Sequence, residues 1–305
     1  MTVLSRDVKL PNGERIAYRE REGETAPLLF IHANFSAASH WNRLFETLDS
    51  HFHLLAPDLR GCGGSSYESQ VDAVADYSRD LVALVETLDL GPVHVVAWSG
   101  GSTIAMQLEL LAPELVRSQT FISPVSTRGY PVLQKDESGA VTEPEPLRSR
   151  EQLANDALQV APLKIAMETE NVAAVREYFE TVVFADTVPE AFDLDAHMAD
   201  VFTQEGFIDF VYANAHFNIS PYDNGVNAGT DEARDLEAPT LVLYGDADQV
   251  ILEKMIDQTL TDLGTDAALI VLPDVGHAAA IEAPERVAKE LTTFLSPLEA
   301  GMRID

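Results

Sequence analysis

Cysteine occurs once in these 305 residues, at Cys62, so no internal disulfide can form and a reducing compartment is permitted. Basic residues are scarce. Twenty Lys and Arg stand against 50 Asp and Glu, a formal net charge of −30 at pH 7. Lysine appears only at Lys9, Lys135, Lys164, Lys254 and Lys289. Phosphate contacts need a basic footprint, so this balance argues against a nucleic-acid partner. No apolar run is long enough to span a bilayer, and the opening Met1–Asp7 lacks the apolar core of a secretory signal. These absences lead to the expectation of a soluble, cytoplasmic protein.

The acidic residues are spread along the whole chain, so self-repulsion destabilises any compact state unless salt screens it. Such a surface fits a halophilic source or an ordinary acidic cytosolic enzyme. At 46% hydrophobic, the chain can build a sizeable core, as one α/β domain with an insertion or as two domains.

The chain is organised around Val95-Val96-Ala97-Trp98-Ser99-Gly100-Gly101-Ser102. An apolar strand runs into a serine, two glycines follow, and a helix-favouring segment begins. A strand entering a helix this abruptly strains the residue at the tip, so the residues two before and two after it must be small. Ala97 and Gly101 meet that need, and Ser99 becomes a nucleophile elbow of the small-x-Ser-x-small type. Ser102 is the poorer tip, because Ile104 stands where a small residue is required.

Around this elbow the chain alternates apolar strands and helical segments. Pro11-Asn12-Gly13 marks a hairpin between Val3–Leu10 and Glu14–Arg19. Pro27–Ala33, Phe52–Ala56, Val93–Ala97, Ser118–Ile122, Pro239–Gly245 and Ala268–Leu272 read as strands. Gln134–Gly139 and Glu143–Pro146 are polar and turn-forming, and helical texture runs from about Arg148 to Tyr222. The pattern argues a mostly parallel sheet with helices on both faces. Ligands of such sheets sit beyond the strands' carboxyl ends. His32-Ala33-Asn34, Ser99, Asp246 with Asp248, and His277 all fall at such ends.

A serine hydroxyl is a feeble nucleophile without a base, and the base needs a carboxylate to fix its tautomer. His277 is the base expected from its place after a strand and a glycine, with small residues beside it. Asp248 is the expected acid and Asp246 its rival. An oxyanion needs preorganised N–H donors. Gly100, following the nucleophile, supplies one, and Asn34, in the loop after the first apolar strand, supplies the other. His32 braces that loop, and His32, Phe35, Trp98, Phe207 and Phe210 are candidate substrate contacts. His197 and His216 lie where either could touch a substrate.

These pieces together resemble the α/β-hydrolase superfamily: His32-Ala33-Asn34-Phe35-Ser36 with Trp41, Asp58-Leu59-Arg60-Gly61-Cys62-Gly63-Gly64-Ser65, Ala97-Trp98-Ser99-Gly100-Gly101, Gly245-Asp246-Ala247-Asp248, and Gly276-His277 with Glu282-Ala283-Pro284. The family's usual His-Gly is His32-Ala33 here, and Ser99 is not the aspartate of dehalogenases. The resemblance implies a core domain of residues 1–127 and 235–305, with 128–234 as a helical cap. It implies a cofactor-free, metal-free serine hydrolase of a small apolar carboxylic ester or lactone. A carbon–carbon bond hydrolase of ring-cleavage products, a perhydrolase and a slow-turnover ligand receptor share the pattern.

Overall fold

Gly13, with φ +99°, makes the tight turn that joins β1 (Leu4–Lys9) to β2 (Arg15–Arg21) as an antiparallel pair. This computed structural model describes residues 2–136, 140–185, 189 and 192–300. Four strands follow: β3 (Leu28–Ile31), β4 (Leu54–Pro57), β5 (Val93–Trp98) and β6 (Val116–Ile122). A short pair, β7 (Leu133–Lys135) and β8 (Val141–Pro146), precedes β9 (Thr240–Gly245) and β10 (Ala268–Leu272). Eight of these strands form one sheet in the order β1-β2-β4-β3-β5-β6-β9-β10, parallel from β4 onward. This is the α/β-hydrolase architecture expected from the sequence.

The strands β3 and β5 are apolar throughout because both sheet faces are covered. Phe30 and Val96 pack into one apolar cluster, and Leu29, Ile31, Val95 and Ala97 into the other. The helices α1 (Asn42–Thr47), α2 (Val74–Thr87) and α3 (Gly101–Leu111) flank the first half of the sheet. Between β6 and β9 come α4 (Arg150–Ala154), α5 (Ala161–Glu168), α6 (Val172–Tyr178), α7 (Leu194–Val201) and α8 (Phe207–His216). The chain closes with α9 (Glu253–Asp262), α10 (Ala279–Glu282) and α11 (Pro284–Glu299). Here α2 packs on α3, and α1 on α11.

The segment between β6 and β9 is not independent of the sheet. Phe179, Phe184, Met198 and Val201 share a cluster with Phe30 and Trp41, and Phe210 and Phe217 join the cluster of Ile104 and Tyr77. The β7–β8 pair departs from the turn-forming reading of residues 134–139 and 143–146. Leu133 and Val141 are too few apolar positions to register as strands in sequence, and the register between them shifts.

Candidate active site

The strand β5 delivers Ser99 to the end of the sheet in a left-handed conformation, φ +54°. Its N–H donates to the Ile122 carbonyl of β6 at 3.0 Å, which anchors the turn against the neighbouring strand. The geometry demands small neighbours. Ala97 is fully buried, and a Cβ on Gly101 would stand 2.7 Å from the carbonyl oxygens of Ile31 and His32. A Cβ on Gly100 would meet the Phe210 ring at 2.7 Å. Ser102 is spent on the turn itself, its buried hydroxyl donating to the Ser99 carbonyl at 2.6 Å.

His277 stands in the loop between β10 and α10, and its Nδ1 bonds Asp248 Oδ2 at 2.9 Å. The other carboxylate oxygen, Oδ1, accepts the N–H groups of Val250 and Ile251 at 2.8 and 2.9 Å. Burial raises the Asp248 carboxyl, but the His277 charge, the His277 hydrogen bond and the two amides outweigh it and hold the group below its ordinary value. Asp246 instead accepts the Asp274 N–H at 2.7 Å, a bond internal to the loops. The residue capping α9 is Leu252, so Asp248 is not a helix cap. In its neutral tautomer with the proton on Nδ1, facing the carboxylate, His277 has its lone pair on Nε2, an atom that makes no bond among the described residues.

Three contacts hold the His277 loop. Its N–H donates to the Val183 carbonyl at 2.8 Å, and its carbonyl accepts the Trp98 indole N–H at 2.8 Å. Glu282 accepts from Gly276 and Ala278 on either side of His277, and from Ala185. Burial pushes the Glu282 carboxyl above its ordinary value even against those three amides.

Ser99, Gly100, Asn34 and His277 all face one cavity of about 540 Å³. Phe35, Trp98, Phe207 and Phe210 line it as well, together with aliphatic side chains such as Val125, Val132, Leu163 and Val183. Tyr130, Tyr178 and Asn214 also line it; no motif in the sequence marks them. Among the described lining residues none is Lys or Arg, and Glu177 is the only acidic one. The backbone N–H groups of Asn34 and Gly100 have no acceptor among the described residues, so both can receive a ligand oxygen.

Of the two roles read for His32, loop brace and substrate contact, its bonds are those of the brace. Expected as a candidate substrate contact, it is fully buried and outside the cavity wall. Its Nδ1 donates to the Ala33 carbonyl at 2.8 Å, and its Nε2 accepts the Leu59 N–H at 2.9 Å. Burial lowers its pKa, and both nitrogens are committed to backbone. His197 is likewise absent from the wall. It stacks on His40 with ring centroids 3.5 Å apart, and burial drops it to about 3. His216 bonds the Tyr212 carbonyl. Burial pushes the Cys62 thiol upward, which leaves it no thiolate at neutral pH.

A family model described as "Alpha/beta hydrolase family" matches residues 28–290. An (E)-2-((N-methylformamido)methylene)succinate hydrolase from Acinetobacter baylyi is 25% identical over 297 residues, 96% of this chain and 98% of that protein. Lipase 1 from Psychrobacter immobilis is 26% identical over 305 residues, 97% of this chain and 85% of that protein. Among solved structures, a haloalkane dehalogenase from Bradyrhizobium elkani superposes with a TM-score of 0.74 at 20% identity, covering 98% of this chain and 100% of that one. At that identity the superposition speaks for the fold alone.

Proposed function

For this chain, which belongs to the alpha/beta hydrolase family, we propose a serine hydrolase that cleaves a neutral carboxylic ester or lactone through an acyl-enzyme on Ser99. The observation that carries the reading is the His277 Nδ1–Asp248 bond of 2.9 Å, behind a serine held at φ +54° on the wall of the same cavity. Asp248 fixes the tautomer, and Nε2 of His277 takes the Ser99 proton as Oγ attacks the carbonyl. The carbonyl oxygen becomes an oxyanion and is held by the N–H groups of Asn34 and Gly100. The protonated imidazole returns its proton to the leaving alkoxide. Water then repeats the attack on the acyl-enzyme and releases the acid. The reaction asks for no cofactor.

The apolar wall favours this reading over cleavage of an anionic substrate. A succinate, named for the Acinetobacter relative, carries carboxylates at neutral pH. A buried carboxylate needs a paired cation, and the described residues lining this cavity include neither Lys nor Arg. The name of the Psychrobacter relative, a lipase, agrees with ester chemistry. In the same terms, residues 128–234 act as a cap that contributes Phe207, Phe210 and Tyr178 to the acyl pocket. The test is paired. A fluorophosphonate should label Ser99, and p-nitrophenyl butyrate should turn over faster than a hemisuccinate ester of the same alcohol. Labelling at another serine, or preference for the charged ester, overturns the proposal.

A further inference from the structure

Gln204 lies in the connection between α7 and α8, yet it reaches the loop that follows β3. Its Oε1 accepts the Phe35 N–H at 3.1 Å, and its Nε2 donates to Asn34 Oδ1 at 2.8 Å. Gln204 is buried, 8% exposed. Its platform is anchored to the glycine turn after β4: Glu205 N–H donates to the Gly61 carbonyl at 2.8 Å, and Gly63 N–H donates to Thr203 Oγ1 at 2.7 Å. The loop it grips is strained, since Phe35 has φ +53° with a bulky side chain.

The polarity of this chain of bonds has one solution. A backbone N–H can only donate, so the atom facing Phe35 must be the Gln204 carbonyl oxygen. The Gln204 amide nitrogen then faces Asn34 and donates, so the atom it meets must be the Asn34 oxygen. That leaves Asn34 Nδ2, which has no partner among the described residues, as the free end of a side chain on the cavity wall. We infer that Gln204 is a positioning residue that sets the Asn34 amide with its N–H donors toward the reacting carbonyl, adding a side-chain donor to the backbone amides of Asn34 and Gly100. The inference rests on the serine-hydrolase reading above. It links one connection in the cap to the charge that develops in the acyl-transfer step.

The substitution Gln204→Glu separates this role from packing. A glutamate has the same shape, and one oxygen still accepts from Phe35. The other oxygen cannot donate to Asn34 Oδ1, so the Asn34 amide turns over, satisfies the carboxylate with Nδ2, and presents its oxygen to the oxyanion. Removing an oxyanion donor lowers kcat by about 10²–10³-fold. We expect Gln204→Glu and Asn34→Ala each to lower kcat for p-nitrophenyl butyrate within that range, with KM little changed. The double variant Asn34→Ala/Gln204→Glu should lose no more than the single ones, because both act through one donor. A wild-type kcat in Asn34→Ala, or losses that multiply in the double variant, overturns the inference. A wild-type kcat in Asn34→Ala overturns the inference even where Gln204→Glu fails to fold. Fluorophosphonate labelling of Ser99 tells the two failures apart. Labelling retained beside an unchanged kcat removes only the Gln204 role, and labelling absent from the wild type removes the serine-hydrolase reading with it.

Discussion

The indole N–H of Trp98 donates to the backbone carbonyl of His277 at 2.8 Å. The residue before the serine thus holds the residue proposed as its base, although 178 positions separate Ser99 from His277 in the chain. The bond is buried, so deleting the donor leaves a carbonyl without a partner, at a cost of about 1–3 kcal/mol.

Trp98→Phe keeps an aromatic body in the cavity and removes only that donor. We expect stability to fall by about 1 kcal/mol and kcat to fall more than KM changes, as the imidazole loses one of its three restraints. Urea unfolding beside steady-state kinetics measures both. An unchanged kcat assigns the loop's placement to Glu282 and Val183 alone.

Asp248→Asn should lower turnover by about four orders of magnitude, as expected where the carboxylate fixes the tautomer of the base. The melting temperature should barely move, because the asparagine oxygen still accepts from Val250 and Ile251. Asp246→Asn leaves an amide oxygen that still accepts the Asp274 N–H, and the variant should remain active. The opposite pattern of activities transfers the role to Asp246.

Glu14 makes a prediction about pH. Its carboxylate accepts from Ser66 Oγ and from the N–H groups of Glu68 and Ser69, with the Arg60 guanidinium 3.5 Å away. Burial raises its pKa, but these bonds and that charge outweigh the burial and hold it below its ordinary value. A carboxyl depressed in the folded state stabilises the fold above its unfolded value, about 4.3 for Glu. That contribution fades as pH falls through the folded value. The stability gap between the wild type and Glu14→Gln should therefore be full at pH 7 and shrink below about pH 4. Denaturant melts at pH 3 and pH 7 decide it, and a gap independent of pH removes the charge from the account.

Phe207 and Phe35 pack with ring centroids 4.8 Å apart and planes tilted by 35° on the cavity wall. Truncation by Phe207→Ala should widen the pocket and shift preference from acetyl toward longer acyl esters. Reaction with a small phosphonate should change less. Equal losses on both reagents would mean that the ring serves the fold alone.

A net charge of −30 makes salt a stabiliser. If the surface is adapted to salt, the melting temperature should climb from 0.1 M to 2 M KCl, well past the point where a Debye length of about 10 Å already screens distant charges. A plateau just above 0.1 M identifies an ordinary acidic enzyme.

Local chemistry made the fold legible in the sequence. Continuous apolar strands, the Asn12-Gly13 turn and the small residues around Ser99 each impose a backbone that few alternatives satisfy, and the mostly parallel sheet read from them is the one observed. The same locality marked Ser99, Asp248 and His277 as candidates, because each sits where a strand ends. Short elements escaped: β7 and β8 carry too few apolar positions to show a period. The placement of side chains between distant segments was decided by the tertiary structure alone. Nothing near His32 announces that Leu59 and Ala33 occupy both its nitrogens, or near Gln204 that its amide meets Asn34, 170 residues away. Hydrogen bonds of that kind depend on which loops packing brings within 3 Å, and neither periodicity nor turn chemistry encodes that distance.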